Sequence, residues 1–260
     1  MTTLTDAEYR AIPALSGSAI SDLLRSPAVY RWRMDHPTPS SPAQALGALI
    51  HAFVLGQEPP AIVSPYDDFR TKEAREWRDS QVLEVVKADV WDLAVNVAAA
   101  ILDHPAAAKI LAAPGKSEVA VSGEHRGYAL KGRIDRLPDV GPIVDVKTAR
   151  DVMPDAMSRF MADYGTATQL AHYALITGRE SERPIIIAAD TTEPHLVAVY
   201  RIGEFTWQVA LNATRRAWDI YADCMESGVW PSGLSDDITD LEMKPWALDE
   251  LDPLSAEIEV

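Results

Sequence analysis

The stretch KGRIDRLPDVGPIVDVK, residues 131–147, decides the predicted fold and contains the first candidate site. Proline, aspartate and glycine between positions 138 and 142 are typical of a turn, and a β-branched segment follows at 143–146. The pattern therefore predicts two strands joined by a turn, with Asp135 on the first strand and Asp145 on the second.

The charged residues of this predicted hairpin suit a divalent cation. Because side chains alternate across a strand, Asp145 and Lys147 point to the same face. Hard cations such as Mg²⁺ bind one or two carboxylates together with water and phosphate oxygens, and a neighbouring lysine can orient or deprotonate a water. A surface hairpin with an ordinary Asp–Lys pair explains the same residues, so the hairpin alone leaves both interpretations open.

The composition sets limits on the class of protein. The chain has 260 residues, of which 47% are hydrophobic, so it is long enough for one large domain with a sizeable core. A single cysteine, Cys224, excludes a disulfide framework, a four-cysteine zinc site and an all-cysteine iron–sulfur cluster within the chain, and it fits a cytoplasmic location. The sequence has no apolar segment near the ~20 residues of a membrane span, and its start does not resemble a signal peptide.

The net charge of −15 argues against a protein that coats DNA, because such affinity comes from lysine and arginine side chains that neutralise phosphates. The charge is unevenly distributed along the chain. Residues 235–260 contain nine acidic residues and one basic residue, Lys244. We therefore expect a single folded domain at 1–234, followed by an acidic C-terminal tail at 235–260.

Hydrophobic periodicity predicts three parts within this domain. A helical region covers about 15–113, with one helix or two around Pro27, an apolar helix at 43–55, a connector at 56–70, and two helices with a short third one at 71–113. A β-sheet core covers about 117–202 and is interrupted by helices at 154–164 and 166–177. The final helix covers about 204–228.

Four residues outside the hairpin are further candidates for a site. His51 lies on the apolar helix, where a histidine is more often a structural core residue than a metal ligand. Glu118 lies on the preceding strand, where an ordinary strand-edge glutamate is at least as good an explanation. Gln169 and Tyr173 are four residues apart and share a helix face, so they could hold a phosphate or a water, or simply form a partly buried polar stripe.

Five segments in this order resemble the PD-(D/E)XK nuclease superfamily and, within it, the RecE-like branch of the exonuclease VIII type that phages often carry. They are LSGSAISDLLRSPAVY at 15–30, ALGALIHAFVL at 45–55, KGRIDRL at 131–137, IVDVKTA at 143–149 and QLAHY at 169–173. The run W-P-S-G at 230–233 and the pair Pro245-Trp246 also look like the tail of that family, although Leu234 stands where an aromatic residue often follows.

The resemblance implies an α/β fold with a restriction-endonuclease-like core, in which helices flank a central mixed β-sheet. The lack of further cysteines sets aside the iron–sulfur members of the superfamily. The metal ligands that the resemblance implies are His51, Asp135, Asp145, the backbone carbonyl of Val146 and, less securely, Glu118.

The resemblance also implies a set of catalytic residues, which are Lys147, Asp135, Asp145, Gln169 and Tyr173. Two Mg²⁺ ions, or Mn²⁺ in their place, would stabilise the attacking and leaving oxygens of a phosphodiester. Lys147 would hold the attacking water, and Gln169 and Tyr173 would position a water or a phosphate.

The implied activity is digestion of linear double-stranded DNA from its ends in the 5′→3′ direction, which leaves 3′ overhangs for an annealing protein of the RecT type. A homo-oligomeric ring around DNA and a bacterial or phage-infected cytoplasm are the implied assembly and location. Two alternatives stay open: a repair- or restriction-type endonuclease of the same fold, and a non-catalytic DNA-binding scaffold.

Overall fold

A computed structural model of the chain describes residues 6–37 and 41–244. The helices are α1 (Asp6–Ala11), α2 (Ile20–Arg25), α3 (Pro27–Asp35), α4 (Pro42–Leu55), α5 (Lys72–Asp79), α6 (Ala88–Asp103), α7 (Pro105–Ala112), α8 (Pro154–Tyr164), α9 (Thr166–Thr177) and α10 (Glu204–Ser227). The strands are β1 (Leu15–Ser16), β2 (Ala61–Val63), β3 (Glu84–Val86), β4 (Gly115–His125), β5 (Tyr128–Pro138), β6 (Val144–Ala149), β7 (Ile185–Asp190) and β8 (Val197–Arg201). Residues 235–244 of the predicted tail form neither helix nor strand, and Pro245-Trp246 lie outside the described residues.

A mixed six-stranded sheet forms the centre of the fold, with the order β1–β5–β6–β7–β8 and with β4 paired to β5. β4 runs antiparallel to β5 along nearly its whole length, so β1 and β6 share the opposite edge of β5. β6 and β7 are parallel, and β8 closes the sheet in the antiparallel direction. The predicted α/β class with a central mixed sheet is confirmed.

Helices cover both faces of the sheet because successive strand residues present apolar side chains to opposite sides. On one face, α4, α6 and α7 pack against side chains that include Val146 and Ile187. On the other face, α8, α9 and the first half of α10 pack against side chains that include Ile186 and Ala188. A third cluster joins α2, α3 and the second half of α10 to β1 and β5.

The hairpin of β4 and β5 has a tight turn. β4 continues to His125 and leaves only Arg126 and Gly127 between the strands. Both residues have positive φ angles, 51° and 84°, as a two-residue type I′ turn requires. The turn is tied to α10, because Arg126 forms ion pairs with Asp223 and Glu226.

The N-terminal region contains strands that the sequence analysis missed. Around Pro27 the two-helix alternative is correct, with Ser26 as the N-cap of α3. The predicted connector at 56–70 contains β2, and β3 lies between α5 and α6, so that β2 and β3 form a separate parallel pair. Strands of two or three residues are too short to show an alternating pattern.

No single helix of the described ranges is both long and apolar enough to cross a membrane. α6 and α7 reach that length and composition only when taken together, and they are bent by 86°.

Candidate active site

The candidate site lies where β5 and β6 separate. The two strands share one ladder pair, Arg136 with Val144, whereas β6 is paired with β7 along its whole length. Beyond that pair, the backbone N–H of Val146 donates to Asp135 Oδ2 at 2.8 Å. The Asp135 carboxylate therefore takes the place of a backbone acceptor and stands in the gap between the strands.

The carbonyl of Val146 faces the same gap. On the other edge of β6, the carbonyls of Ile143 and Ala149 accept hydrogen bonds from the backbone of Ile185 and Thr191. Because successive residues direct their backbone groups to opposite edges of a strand, Val146 directs its N–H and its carbonyl toward β5. The predicted role of this carbonyl as a metal ligand stays a prediction.

Glu118 approaches the gap from β4. Its neighbours pair regularly with β5, Ser117 with Arg136 and Val119 with Ile134, which places Glu118 opposite Asp135. Glu118 itself has a φ of 51°, in the left-handed region that side-chain-bearing residues rarely adopt. Its Oε2 lies 3.1 Å from Arg133 Nε, so the carboxylate also has a cationic neighbour.

His51 reaches the gap from α4. Ser41 and Gln44 form a capping box at the start of this helix, and buried residues on both sides of His51, Ile50 and Ala52, anchor it to the core. The imidazole Nδ1 lies 3.5 Å from Asp135 Oδ2. One ligand atom each from His51, Glu118 and Asp135 lie within 4.8 Å of one another.

This donor set fits a divalent cation. Ligands about 2.1 Å from a magnesium ion are at most about 4.2 Å apart, so the three atoms need only small side-chain movements to share one ion. An imidazole nitrogen and two carboxylate oxygens suit Mg²⁺, Mn²⁺ or Zn²⁺ by chemistry alone. The predicted ligands His51, Asp135 and Glu118 are thus close together in the structure.

Asp145 and Lys147 lie beside this group on β6 and form their own ion pair. Lys147 Nζ lies 2.8 Å from Asp145 Oδ2 and 3.0 Å from Oδ1, which agrees with the prediction that both side chains share a face. Asp145 is only 2% exposed and is not part of the three-residue group. Its predicted role as a ligand stays a prediction.

The pKa values of Asp145 and Lys147 are both raised, for different reasons. Burial raises the pKa of Asp145 to about 6, with Lys147 opposing the shift and Asp135 adding to it. Burial alone would lower the pKa of Lys147, but the carboxylates of Asp145 and Asp135 more than offset it, and the pKa is raised. Lys147 is therefore a positively charged hydrogen-bond donor.

Gln169 and Tyr173 lie on α9 and contact each other directly. Gln169 Nε2 donates to Tyr173 Oη at 2.9 Å. The Tyr173 ring is packed between Gly17 and Gly132, where an added Cβ would lie 2.7 Å and 2.6 Å from ring carbons. Burial raises the pKa of Tyr173, and the carboxylates of Asp145 and Asp135 add to this effect, so the phenol keeps its proton.

The structure adds a buried histidine, His172, that the sequence analysis left without a role although it lies in the QLAHY segment. Trp218 Nε1 donates to His172 Nδ1 at 2.9 Å, so His172 Nε2 carries the proton and donates to the carbonyl of Lys131 at 3.0 Å. Burial lowers the pKa of His172 to about 4. The neutral ring thereby fixes α9 between β5 and α10.

A cavity of about 440 Å³ adjoins the site. His51 and Lys147 line it together with Phe160 and Tyr164 of α8. No local pattern identifies these two aromatic residues as part of a site. Their spacing of four residues indicates one face of a helix, but nothing in the sequence places that helix beside the site.

The described fold and site point to a known family. The model of the family described as "PDDEXK-like domain of unknown function (DUF3799)" matches residues 16–238. The chain belongs to this family. The match confirms the predicted PD-(D/E)XK superfamily and the predicted fold class. It does not address the finer prediction of the RecE-like branch.

A solved structure shares the fold of this PDDEXK-like domain. It is a crystal structure of a protein from Eubacterium rectale described as a "putative exonuclease", with a TM-score of 0.63 and 15% sequence identity over 97% of this chain and 99% of that chain. At this identity the likeness shows the fold alone. The structure of SSO0001 has a TM-score of 0.29 and 16% identity over 65% and 82% of the two chains, and it carries no argument. The search of curated proteins gives no match.

Proposed function

We propose that this PDDEXK-like domain is a divalent-metal-dependent deoxyribonuclease that degrades linear double-stranded DNA from its ends. The observation that supports it is the group of His51, Glu118 and Asp135 beside the Asp145–Lys147 pair, at the gap in the sheet. Mg²⁺ is the proposed metal, with Mn²⁺ as an alternative. A second ion would be held by Asp135 together with Asp145 and the carbonyl of Val146.

The reaction breaks a P–O bond of a phosphodiester. The oxygen of a water bonds to phosphorus, and the leaving oxygen takes up a proton. A bound divalent cation supplies positive charge that offsets the charge developing on the phosphate oxygens.

The side chains of the protein orient the reactants. The Lys147 ammonium, held by Asp145, donates hydrogen bonds and can fix the attacking water or a phosphate oxygen. The Tyr173 phenol keeps its proton and is held by Gln169, so these two side chains provide neutral polar groups for the same purpose.

The finer proposals follow the sequence resemblance. They are digestion in the 5′→3′ direction with release of 5′-phosphorylated mononucleotides, a 3′ single strand passed to an annealing protein of the RecT type, and action in the cytoplasm.

The net charge of the chain supports a further proposal, a homo-oligomeric ring. A chain with a net charge of −15 has little general attraction to DNA, and a ring would keep it on its substrate without broad electrostatic contact. Light scattering that shows only monomers would refute the ring.

The experiment that tests the function compares linear and covalently closed circular duplex DNA with Mg²⁺, Mn²⁺ or a chelator. We expect the wild type to digest linear DNA only and to stop when the metal is chelated. Lys147→Ala should lose turnover, whereas Lys109→Ala, which removes an exposed lysine of α7, should not. Cutting of circles would favour an endonuclease, and binding without digestion by the wild type would favour a scaffold.

A further inference from the structure

The cavity beside the catalytic residues, here named the slot, is lined by residues of three elements. Residues 146–148 of β6 line it, together with small side chains of α4 at Ala43, Gly47 and Ala48. Phe160 and Tyr164 of α8 also line it, and these two rings form its aromatic wall. A volume of about 440 Å³ lies within the usual range of small-molecule sites.

The aromatic wall is held in place although it is open to solvent. The rings of Phe160 and Tyr164 are 4.5 Å apart at their centroids, and Tyr164 is 67% exposed. The next residue, Gly165, has a left-handed φ of 63° and packs so closely on Ser21 that a Cβ would lie 2.6 Å from the Ser21 Cβ. The end of α8 is therefore anchored, and the Tyr164 ring is exposed without being on a free chain end.

The charges of the residues that line the slot favour the binding of a nucleobase over the binding of a further DNA phosphate. Among the described residues that line it, Lys147 is the only lysine or arginine, and its ammonium is paired with Asp145. Apart from Lys147 and the His51 imidazole, the slot thus offers aromatic faces and small or neutral polar side chains rather than cations. Every nucleobase has a flat face that stacks on such rings, whatever its sequence.

We propose that Phe160 and Tyr164 stack against the base next to the phosphodiester that is cut, so that the DNA strand enters the site unpaired. The inference rests on the proposed function and specifies the form of its substrate. A base within a duplex is paired and stacked on its neighbours, so it reaches this wall only after the terminal base pair has opened.

The first test combines a protein change with a change of substrate. An abasic nucleotide at the end to be removed should lower kcat/KM of the wild type by about 5- to 150-fold, which corresponds to the usual strength of one base–aromatic stack. Tyr164→Ala should lower kcat/KM on the ordinary end and should be impaired by the abasic nucleotide less than the wild type is, because only Phe160 is left to stack on the base. Tyr164→Trp should restore the discrimination.

A matched control is Phe205→Ala, which removes an 83% exposed aromatic residue of α10 that does not line the slot. It should behave as the wild type on both ends. If the abasic nucleotide impairs the wild type and Tyr164→Ala by the same factor, the base does not contact Tyr164 and the proposal is wrong.

The second test does not depend on hydrolysis. Oligonucleotides with 2-aminopurine at the 5′ or the 3′ end are titrated with the wild type and with Tyr164→Ala, with Ca²⁺ in place of Mg²⁺. If the wild type quenches the 2-aminopurine fluorescence at one end and Tyr164→Ala does not, the result supports stacking on the aromatic wall, even if no DNA is hydrolysed in other assays. Hydrolysis of linear DNA without quenching of either probe would refute the wall and leave the proposed function in place.

Discussion

Glu118 lies opposite Asp135 across the β4–β5 ladder, and it is the one residue of β4 whose ladder pairing is interrupted. Its φ of 51° is the cause, because a left-handed residue cannot continue a regular strand. Such a conformation costs about 1–3 kcal/mol and persists only where the surroundings impose it. Here the strained residue carries one of three grouped ligand atoms, which is typical of a functional position.

Replacement of Glu118 should separate the backbone strain from the chemistry of its carboxylate. Glu118→Gln and Glu118→Asn both remove the charge and the ion pair with Arg133, but asparagine tolerates the left-handed conformation better. In urea titrations, the free energy of unfolding of Glu118→Asn should be about 0.5–1 kcal/mol larger than that of Glu118→Gln. Both variants should bind Mg²⁺ at least ~10-fold more weakly in calorimetry. Equal stability of the two variants would show that the conformation is not strained.

The ion pair of Asp145 and Lys147 should show strong coupling in a double-mutant cycle. Lys147→Met leaves a carboxylate that is 2% exposed without its partner, so it should lower the free energy of unfolding by about 3 kcal/mol or more. Asp145→Asn combined with Lys147→Met should be less destabilised than the sum of the single variants, by at least about 1 kcal/mol. Additive effects in urea titrations at pH 7 would mean that the two side chains do not interact in solution.

Local patterns in the sequence account for most of the regular elements. The apolar spacing of α4, the glycines that end α8 and α9, and the β-branched run of β7 each have a cause within a few residues. The identity of Asp135, Asp145 and Lys147 as candidates likewise follows from one predicted hairpin. These parts could be predicted because neighbours along the chain determine them.

Other parts depend on contacts between distant segments. His51 meets Asp135 only because α4 packs on the sheet, and no local pattern indicates that approach. The left-handed backbone of Glu118 has no marker, since glutamate is not a residue that favours it. Tyr164 is similar: its place on a helix was predictable, but its position in a cavity that residues of α4 and β6 also line depends on contacts between distant segments.

His172 should make the stability of the protein depend on pH. In the unfolded chain a histidine takes up a proton near pH 6.5, whereas burial keeps His172 neutral in the fold down to a pKa of about 4. The contribution of neutral His172 to the free energy of unfolding is therefore complete above about pH 6.5. It is lost as the pH falls toward 4, and the total loss is about 3 kcal/mol. His172→Gln, whose amide can replace both hydrogen bonds, should lack this part of the pH dependence. Parallel curves of unfolding free energy against pH for the two proteins would contradict the assignment.

Gly132 should be intolerant of even one added methyl group, because Tyr173 occupies the space. A Cβ at this position would lie 2.6 Å and 2.8 Å from two carbons of the Tyr173 ring and 3.1 Å from Val121 Cγ2. Gly132→Ala must therefore displace the ring, at a cost of about 1–3 kcal/mol in unfolding free energy. Since Tyr173 also holds the amide of Gln169, turnover on linear DNA should fall more than stability explains, with little change in KM.

Gly47→Ala is the matched control for stability, because its new Cβ meets Thr148 Oγ1 at 3.5 Å, an ordinary contact, and alanine favours a helix. A Gly132→Ala protein with the stability and turnover of the wild type would show that the Tyr173 ring is free to move without consequence for the site.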